Sequence, residues 1–252
     1  MNATGIAALE VLTPAWRVAG GVRAAFTLRG GGVSAAPFDS LNLGAHVGDE
    51  AAAVAENRRR VRQRLELPAE PEWLEQVHGR RVADLDGPGE EARGPADAVL
   101  TRARGRVCVV QVADCLPVLF AARDASAVAV AHAGWRGLAA GVLEATVAKL
   151  GVAAGGLSAW LGPAISARHF EVGEEVRQAL LAGDAGAGAA FTRNARGRWQ
   201  CDLALLARRR LGLLGITEIS GGNWCTYADP ARFFSFRRDG RCGRMAALTW
   251  LD

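Results

Sequence analysis

His78 in EQVHG (75–79), Cys115 in QVADCLPVLF (111–120) and His132 in AHAGWRG (131–137) are the residues of this sequence best suited to chemistry. Each falls where an apolar run meets a turn, and a residue at such a chain reversal is held by a sheet yet open to a cleft. A thiolate and two neutral imidazoles make a His2Cys zinc site with its fourth position open to water, the arrangement of catalytic zinc. The same residue types make a Cys–His nucleophile pair. The ordinary structural alternative is a buried thiol beside hydrogen-bonded histidines. Separations of 37 and 17 residues do not decide among the three, because metal sites legible from sequence usually keep two ligands within about five residues.

Their polar neighbours extend the set. Gln76 and Asp114 each adjoin a candidate ligand and are candidates for orienting an imidazole or donating a proton, the alternative being that they satisfy turn backbone groups. GWRG opens a helical pattern over 137–150, so the unpaired N–H groups of its first turn, with Arg136, offer a phosphate site. Arg29 in TLRGGG and Arg237 in SFRRDG are further arginine–glycine segments able to complete an anionic pocket. Glu171, His46 and His169 read as structural.

The elements that must position these residues are strands around Val22–Leu28, Val107–Val112, Ala127–Ala131, Leu157–Leu161 and Met245–Trp250. Helical patterns cover 49–65, 137–150, 173–182 and 202–214, with Asp49 and Asp202 as N-caps. GDAGAGAA at 183–190 reads as a mobile loop. The regular βα alternation of a barrel or dinucleotide fold is absent, which leaves an α+β or mixed α/β domain. At 252 residues one domain spanning 1–252 is long enough to bury a large core.

Charge and cysteine usage narrow the class. The net charge of +4 comes almost wholly from arginine, Lys149 being the only lysine. Arg58–Arg60 and Arg208–Arg210 lie in helical patterns and read as solvated faces rather than a nucleic-acid surface, since no stacking motif accompanies them. No window approaches the ~20 apolar residues of a membrane span, and MNATGIAALEVL carries no secretory signal, so the expected location is the cytoplasm. Five scattered cysteines make a poor disulfide framework and read as free thiols.

Eight ordered motifs carry a resemblance over nearly the whole chain: FTLRGGGVSAAPFDSLNLGAHVGDE (26–50), QVHG (76–79), ADAVLT (96–101), ADCLPVLF (113–120), AHAGWRG (131–137), LGPAIS (161–166), FEVG (170–173) and CTYADPARFFSFRRDGRCGRM (225–245). Together they resemble the YfiH-like laccase-domain family, also labelled multicopper polyphenol oxidases or purine nucleoside phosphorylases. The resemblance implies that His78, Cys115 and His132 form a zinc-binding catalytic site. It implies a four-layer α/β/β/α fold shared with CNF-type toxin deamidases. It also implies phosphorolysis of adenosine, inosine, guanosine and methylthioadenosine, adenosine deamination, and a peptidoglycan-editing role in some bacteria.

The expected function is therefore purine nucleoside phosphorylase and adenosine deaminase, acting on nucleosides and phosphate with zinc. The alternatives are a copper-dependent polyphenol oxidase, a Cys–His hydrolase in peptidoglycan editing, and an interaction protein with zinc as a structural clasp. A multicopper oxidase needs more histidines than the four present, although copper outcompetes zinc at most nitrogen and sulfur sites.

Overall fold

The computed structural model describes residues 9–89 and 94–252, so most of the amino-terminal stretch read for targeting signals lies outside the described residues. Among the described residues no helix is long and apolar enough to cross a membrane.

Two sheets stack at the centre. One runs in the order β1 (Val11–Leu12), β2 (Val22–Thr27), β13 (Met245–Leu251), β5 (Val107–Val112). The other runs β12 (Glu218–Gly221), β8 (Leu157–Leu161), β6 (Leu116–Ala122), β7 (Val128–Ala133), β4 (Ala98–Thr101), β3 (Val82–Asp84). Side-chain alternation assigns the faces. Leu119, Val128 and Val130 pack with Phe26, Val110, Val112 and Met245 between the sheets. Leu116, Val118, Phe120, Ala129 and Ala131 point the other way, into the apolar sides of α3 (Val142–Leu150), α4 (Glu174–Gly183) and α5 (Leu203–Leu213). On the far face of the first sheet, Val107, Val109, Ala246 and Leu248 meet Leu41, Leu43 and Val61 of α1 (Ala51–Leu65). The order α/β/β/α is the four-layer arrangement that the resemblance implied.

The expected strands form with small shifts of their ends, but β6 is an addition. Pro117 lies within it although proline cannot donate to a ladder. It occupies the second position of β6, opposite His132, and its carbonyl accepts the Gly162 N–H at 2.9 Å. Conversely, EQVHG is not the end of a strand: residues 71–77 form irregular chain running into a bend.

The helices need three corrections. The expected 137–150 helix is two, α2 (Trp135–Ala140) and α3, broken where Gly141 takes φ +87°, a left-handed conformation that glycine adopts without strain. Asp49 does not cap α1; the N-cap is Glu50 without a side-chain bond, and Asp49 instead accepts from Ser34 Oγ and Asn42 Nδ2. The GDAGAGAA segment is an ordered 3-10 turn over Ala185–Ala190, with Ala187 and Ala190 buried and Asp184 bound to Arg209 and the Gly186 N–H. Asp202 does cap α5, accepting from Leu205 N at 2.9 Å.

The 208–210 run is not a free solvated face, whereas Arg59 and Arg60 pair with Glu56 along the surface of their own helix. Arg208 donates to the Ile219 and Gly221 carbonyls, and Arg209 pairs with Asp184. Arg210 is buried against Glu144, joining α5 to α3. A third, small sheet, β10 (Phe191–Arg193), β11 (Trp199–Cys201), β9 (Glu171–Val172), closes one end of the helical layer.

Candidate active site

Strand register brings the reactive residues together. Leu116 pairs with Ala133 and Pro117 with His132, so Cys115, just before β6, lies beside the end of β7. On the other flank of β7, Ala98 pairs with Ala131, and the His132 N–H donates to the Asp97 carbonyl at 2.7 Å. Three strand ends therefore deliver Cys115, His132 and Asp97 to one spot. The 77–79 turn adds His78, whose φ of +61° is left-handed and turns the chain sharply at that residue.

The result is a compact donor cluster. Candidate ligand atoms of His78, Cys115 and His132 all lie within 4.8 Å of one another, with Cys115 Sγ 4.0 Å from His78 Nε2. His78 is exposed, Cys115 partly buried and His132 buried. Gly134 permits the close approach: a Cβ there would stand 2.8 Å from Cys115 Sγ, inside contact distance. The glycine of HAGW is therefore a packing requirement of the cluster.

Asp97, which sequence reasoning did not single out, holds the cluster in place. Fully buried, its carboxylate lies 2.8 Å from His132 Nδ1 and accepts the N–H groups of Val77, His78 and Gly79. One side chain thus fixes both the His132 ring and the turn that carries His78. Hydrogen bonding at Nδ1 leaves Nε2 as the ring nitrogen of His132 that faces the cluster. The available signal was ADAVLT itself, where a charged residue opens an apolar strand that is buried throughout.

Electrostatics favour the charged forms. Burial pushes the Cys115 thiol up, but the His132 charge and hydrogen bonds from His132 and His78 outweigh it and lower the thiol to about 6. Burial pushes His132 down, while the Cys115 thiolate and the Asp97 carboxylate raise it to about 9. Burial opposes ionisation of Asp97 as well, yet bonds from His132 and the Gly79 N–H keep it below the ordinary carboxylate range. The donor set suits zinc, and a carboxylate behind a ligating imidazole is the usual support for such a site.

The cluster opens on a cleft of about 380 Å³ whose lining includes Arg136, Arg237, Arg244 and His46, with Trp135, Phe170 and Phe236 as its aromatic surfaces. Arg136 is exposed, stacks on Trp135 at 4.4 Å, and has no hydrogen-bond partner among the described residues. Arg237 donates through one guanidinium nitrogen to the Glu171 carbonyl and lies over Phe170. Arg136 is the second residue of α2, which has only six residues, so the expected contribution of a long helix N-terminus is small.

The other candidates lie elsewhere or are already engaged. Arg29 is not in the cleft; its guanidinium donates to Asp39 and to the Pro230 carbonyl, pinning the 29–40 loop. Gln76 does not touch an imidazole, because both ends of its amide bond the backbone of Gln111. Asp114, at φ +96°, accepts from Thr226 Oγ1 and from the N–H of Arg237, which anchors the start of α6 (Phe236–Asp239). The imidazole-orienting role considered for Gln76 and Asp114 is held by Asp97. His46 lines the cleft outside the three-residue cluster, its imidazole lowered by burial and by Arg244 and Arg58. His169 stacks on Tyr227. Glu171 binds Asn194 and Arg196, as a structural residue would. Arg244, beside Gly44 and near the Phe236 ring, was not singled out in the sequence.

Fold and site define an α/β/β/α protein with a Cys–His–His cluster in an arginine-edged cleft. Residues 23–252 match the family described as multi-copper polyphenol oxidoreductase laccase, and the chain belongs to that family. A purine nucleoside phosphorylase of Pseudomonas aeruginosa is 55% identical over 242 residues, covering 96% of this chain and 98% of its own. The purine nucleoside phosphorylase YfiH of Escherichia coli K12 is 50% identical over 242 residues, covering 96% of this chain and 99% of its own. A crystal structure of a Neisseria meningitidis protein superposes with a TM-score of 0.90 at 44% identity, covering 96% of this chain and 99% of that one. The resemblance read from the eight motifs is thereby borne out.

Proposed function

We propose that this chain is a purine nucleoside phosphorylase that converts adenosine, inosine, guanosine and methylthioadenosine, with phosphate, into free base and ribose 1-phosphate, and that it also deaminates adenosine. The observation that carries the reading is a single cleft combining the His78, Cys115 and His132 cluster with an arginine whose donors are unpaired. The names of relatives at 50% identity and above support the phosphorylase part of this reading.

His78, Cys115 and His132 would hold zinc. The chemistry it supplies when bound is Lewis acidity, which lowers the pKa of a water to about 7 and suits hydrolytic removal of an amino group. Phosphorolysis has other needs. Phosphate must be held at C1′, and Arg136 is able to present paired donors to its oxygens, with Arg237 beside it. Asp97 keeps the His132 proton at Nδ1 and the ring in one orientation. Trp135, Phe170 and Phe236 supply the apolar surfaces that a flat base requires.

The test is product analysis of adenosine with and without phosphate. Adenine and ribose 1-phosphate should form only with phosphate, inosine should form in both cases, and neither should require oxygen. Turnover confined to phenols, copper and oxygen would replace the proposal with the oxidase. Copper in the same His2Cys pocket is chemically reasonable, but four histidines, one of them stacked on Tyr227, are few for a multicopper centre.

One observation favours a second reading. Asp97, His132 and Cys115 follow the order of a thiol hydrolase, orienter, base and nucleophile, with the thiol lowered to about 6. A Cys–His hydrolase in peptidoglycan editing would use that arrangement without metal, so activity that survives complete metal removal would favour it. We take residues 1–252 as one catalytic domain acting in the cytoplasm; five unpaired cysteines suit a reducing compartment.

A further inference from the structure

Gln111 is the polar side chain of the cleft that nothing so far explains. It lies on β5, in the sheet opposite the one that carries His132, and is 6% exposed. Its backbone is clamped in both directions: the Gln111 N–H donates to Gln76 Oε1 at 2.7 Å, and its carbonyl accepts from Gln76 Nε2 at 2.9 Å. The side-chain amide, by contrast, makes no hydrogen bond to any described residue, and Oε1 is buried without a partner. A Cβ at Gly44 would stand 3.3 Å from that oxygen, so one end of the amide is sealed against the 44 backbone while the other faces the cleft.

The buried oxygen has no partner and the amide's other end is open to the cleft, so turning the amide towards a ligand breaks no protein hydrogen bond. An amide also has a property that the neighbouring arginines lack. Rotation by 180° about its last torsion exchanges donor for acceptor with almost no change of shape. The C6–N1 edge of a purine presents the matching problem. A 6-amino purine offers an acceptor at N1 and a donor at the 6-substituent, whereas a 6-oxo purine offers a donor at N1 and an acceptor at the 6-substituent.

We propose that Gln111 is the specificity-determining residue that reads the C6–N1 edge of the purine, and that rotation of its amide lets one cleft accept both 6-amino and 6-oxo nucleosides. The assignment rests on the phosphorylase reading above. It gives Gln76 a positioning role, holding the β5 backbone from which Gln111 reaches the base. Anion recognition stays with Arg136 and Arg237, since a neutral amide contributes little to holding phosphate.

The experiment compares kcat/KM for phosphorolysis of adenosine and inosine by the zinc-loaded full-length protein, as wild type and as Gln111→Glu. A carboxylate accepts at both oxygens and does not interconvert, so the adenosine-to-inosine ratio should change by at least about tenfold, the scale of one hydrogen bond to a charged group. A shift towards inosine identifies N1 as the atom read, and a shift towards adenosine identifies the 6-substituent. An unchanged ratio overturns the assignment, including the case in which both activities fall together. Gln111→Met keeps length without donor or acceptor and covers a Glu variant that does not fold. Its KM should rise for both nucleosides with phosphate KM unchanged, and a rise in phosphate KM, or no rise for either nucleoside, overturns the assignment. Wild-type protein that releases no base from either nucleoside defeats the phosphorylase reading itself, a result separate from an unchanged ratio in active variants.

Discussion

On one side of the cleft Asp97 gathers His132 and three consecutive backbone N–H groups, while on the other Arg136 touches only an indole ring and leaves its donors unpaired. The first region is buried and determined from several strand ends at once; the second is an exposed side chain in the first turn of a six-residue helix. The difference separates two tasks. A reacting centre gains from groups fixed before substrate arrives, because reorganisation during the reaction is then avoided. An anion site needs donors with nothing else to bind, so incompleteness in the empty protein is what suits it to a ligand.

The largest effect should come from the determined side. Cys115→Ala removes the one anionic ligand of the cluster, so the protein should lose its metal and activity should fall at least about a thousandfold, as when one member of a cooperating catalytic set is removed. Elemental analysis should give one zinc per wild-type chain and none in the variant. The same thiol supplies a pH test in metal-stripped protein. Its value is depressed to about 6, so the thiolate fraction rises through pH 6 and is nearly complete at 7. Alkylation by iodoacetamide should therefore level off by pH 7, whereas an ordinary thiol continues to gain reactivity up to about 9.

Asp97→Asn should come next. The side chain keeps its shape but replaces one acceptor oxygen by a donor, facing N–H groups that already need an acceptor. Metal affinity or activity should fall by roughly ten- to a hundredfold, typical for the support of a ligating histidine. Asp97→Ala leaves those donors unpaired in a buried site and should also lower stability by about 3 kcal/mol or more, a fall in Tm of roughly 6–12 °C. A variant with unchanged Tm and metal content would break the contrast between the two sides. Arg136→Ala should behave differently: phosphate KM rises by roughly ten- to a hundredfold, while inosine formation from adenosine and the zinc content stay near wild type. Equal loss of both activities with zinc retained would make the GWRG turn structural.

The same contrast governs what could be read from the sequence. His78, Cys115 and His132 were legible as candidates because histidine is rare here and all three stand at chain reversals, but their grouping as one site came from the family resemblance. Asp97 was not, since its importance lies in four partners, three of them backbone groups of the 77–79 turn and one a ring 35 residues away. β2, β5, β7, β8 and β13 followed from their apolar runs. β6 did not, because only a carbonyl bond to Gly162 and a place beside β7 make Pro117 tolerable there. The four layers came from family resemblance, as the pairing of separate sheets depends on contacts distant in sequence. Arginines were the least legible: Arg29, Arg136 and Arg237 share an arginine–glycine setting, yet Arg29 is consumed by Asp39 and Pro230 while Arg136 is left unpaired.

Arg237 lies between these extremes and supplies the smallest effect. Its guanidinium faces the cleft but already donates to the Glu171 carbonyl at 2.8 Å and packs over Phe170, so fewer of its donors remain for a ligand. Arg237→Ala should raise phosphate KM by roughly three- to tenfold, the scale of one ordinary hydrogen bond, and less than Arg136→Ala does. The substitution keeps the backbone N–H that Asp114 accepts, so the start of α6 should stay anchored and kcat for deamination should change little. Steady-state kinetics with phosphate varied at saturating adenosine measures both variants on one scale. If Arg237→Ala costs more phosphate affinity than Arg136→Ala, unpaired donors in the empty protein are not what marks the anion site. The arginine anchored by Glu171 would then be the principal phosphate ligand, its orientation fixed in advance like that of His132 across the cleft.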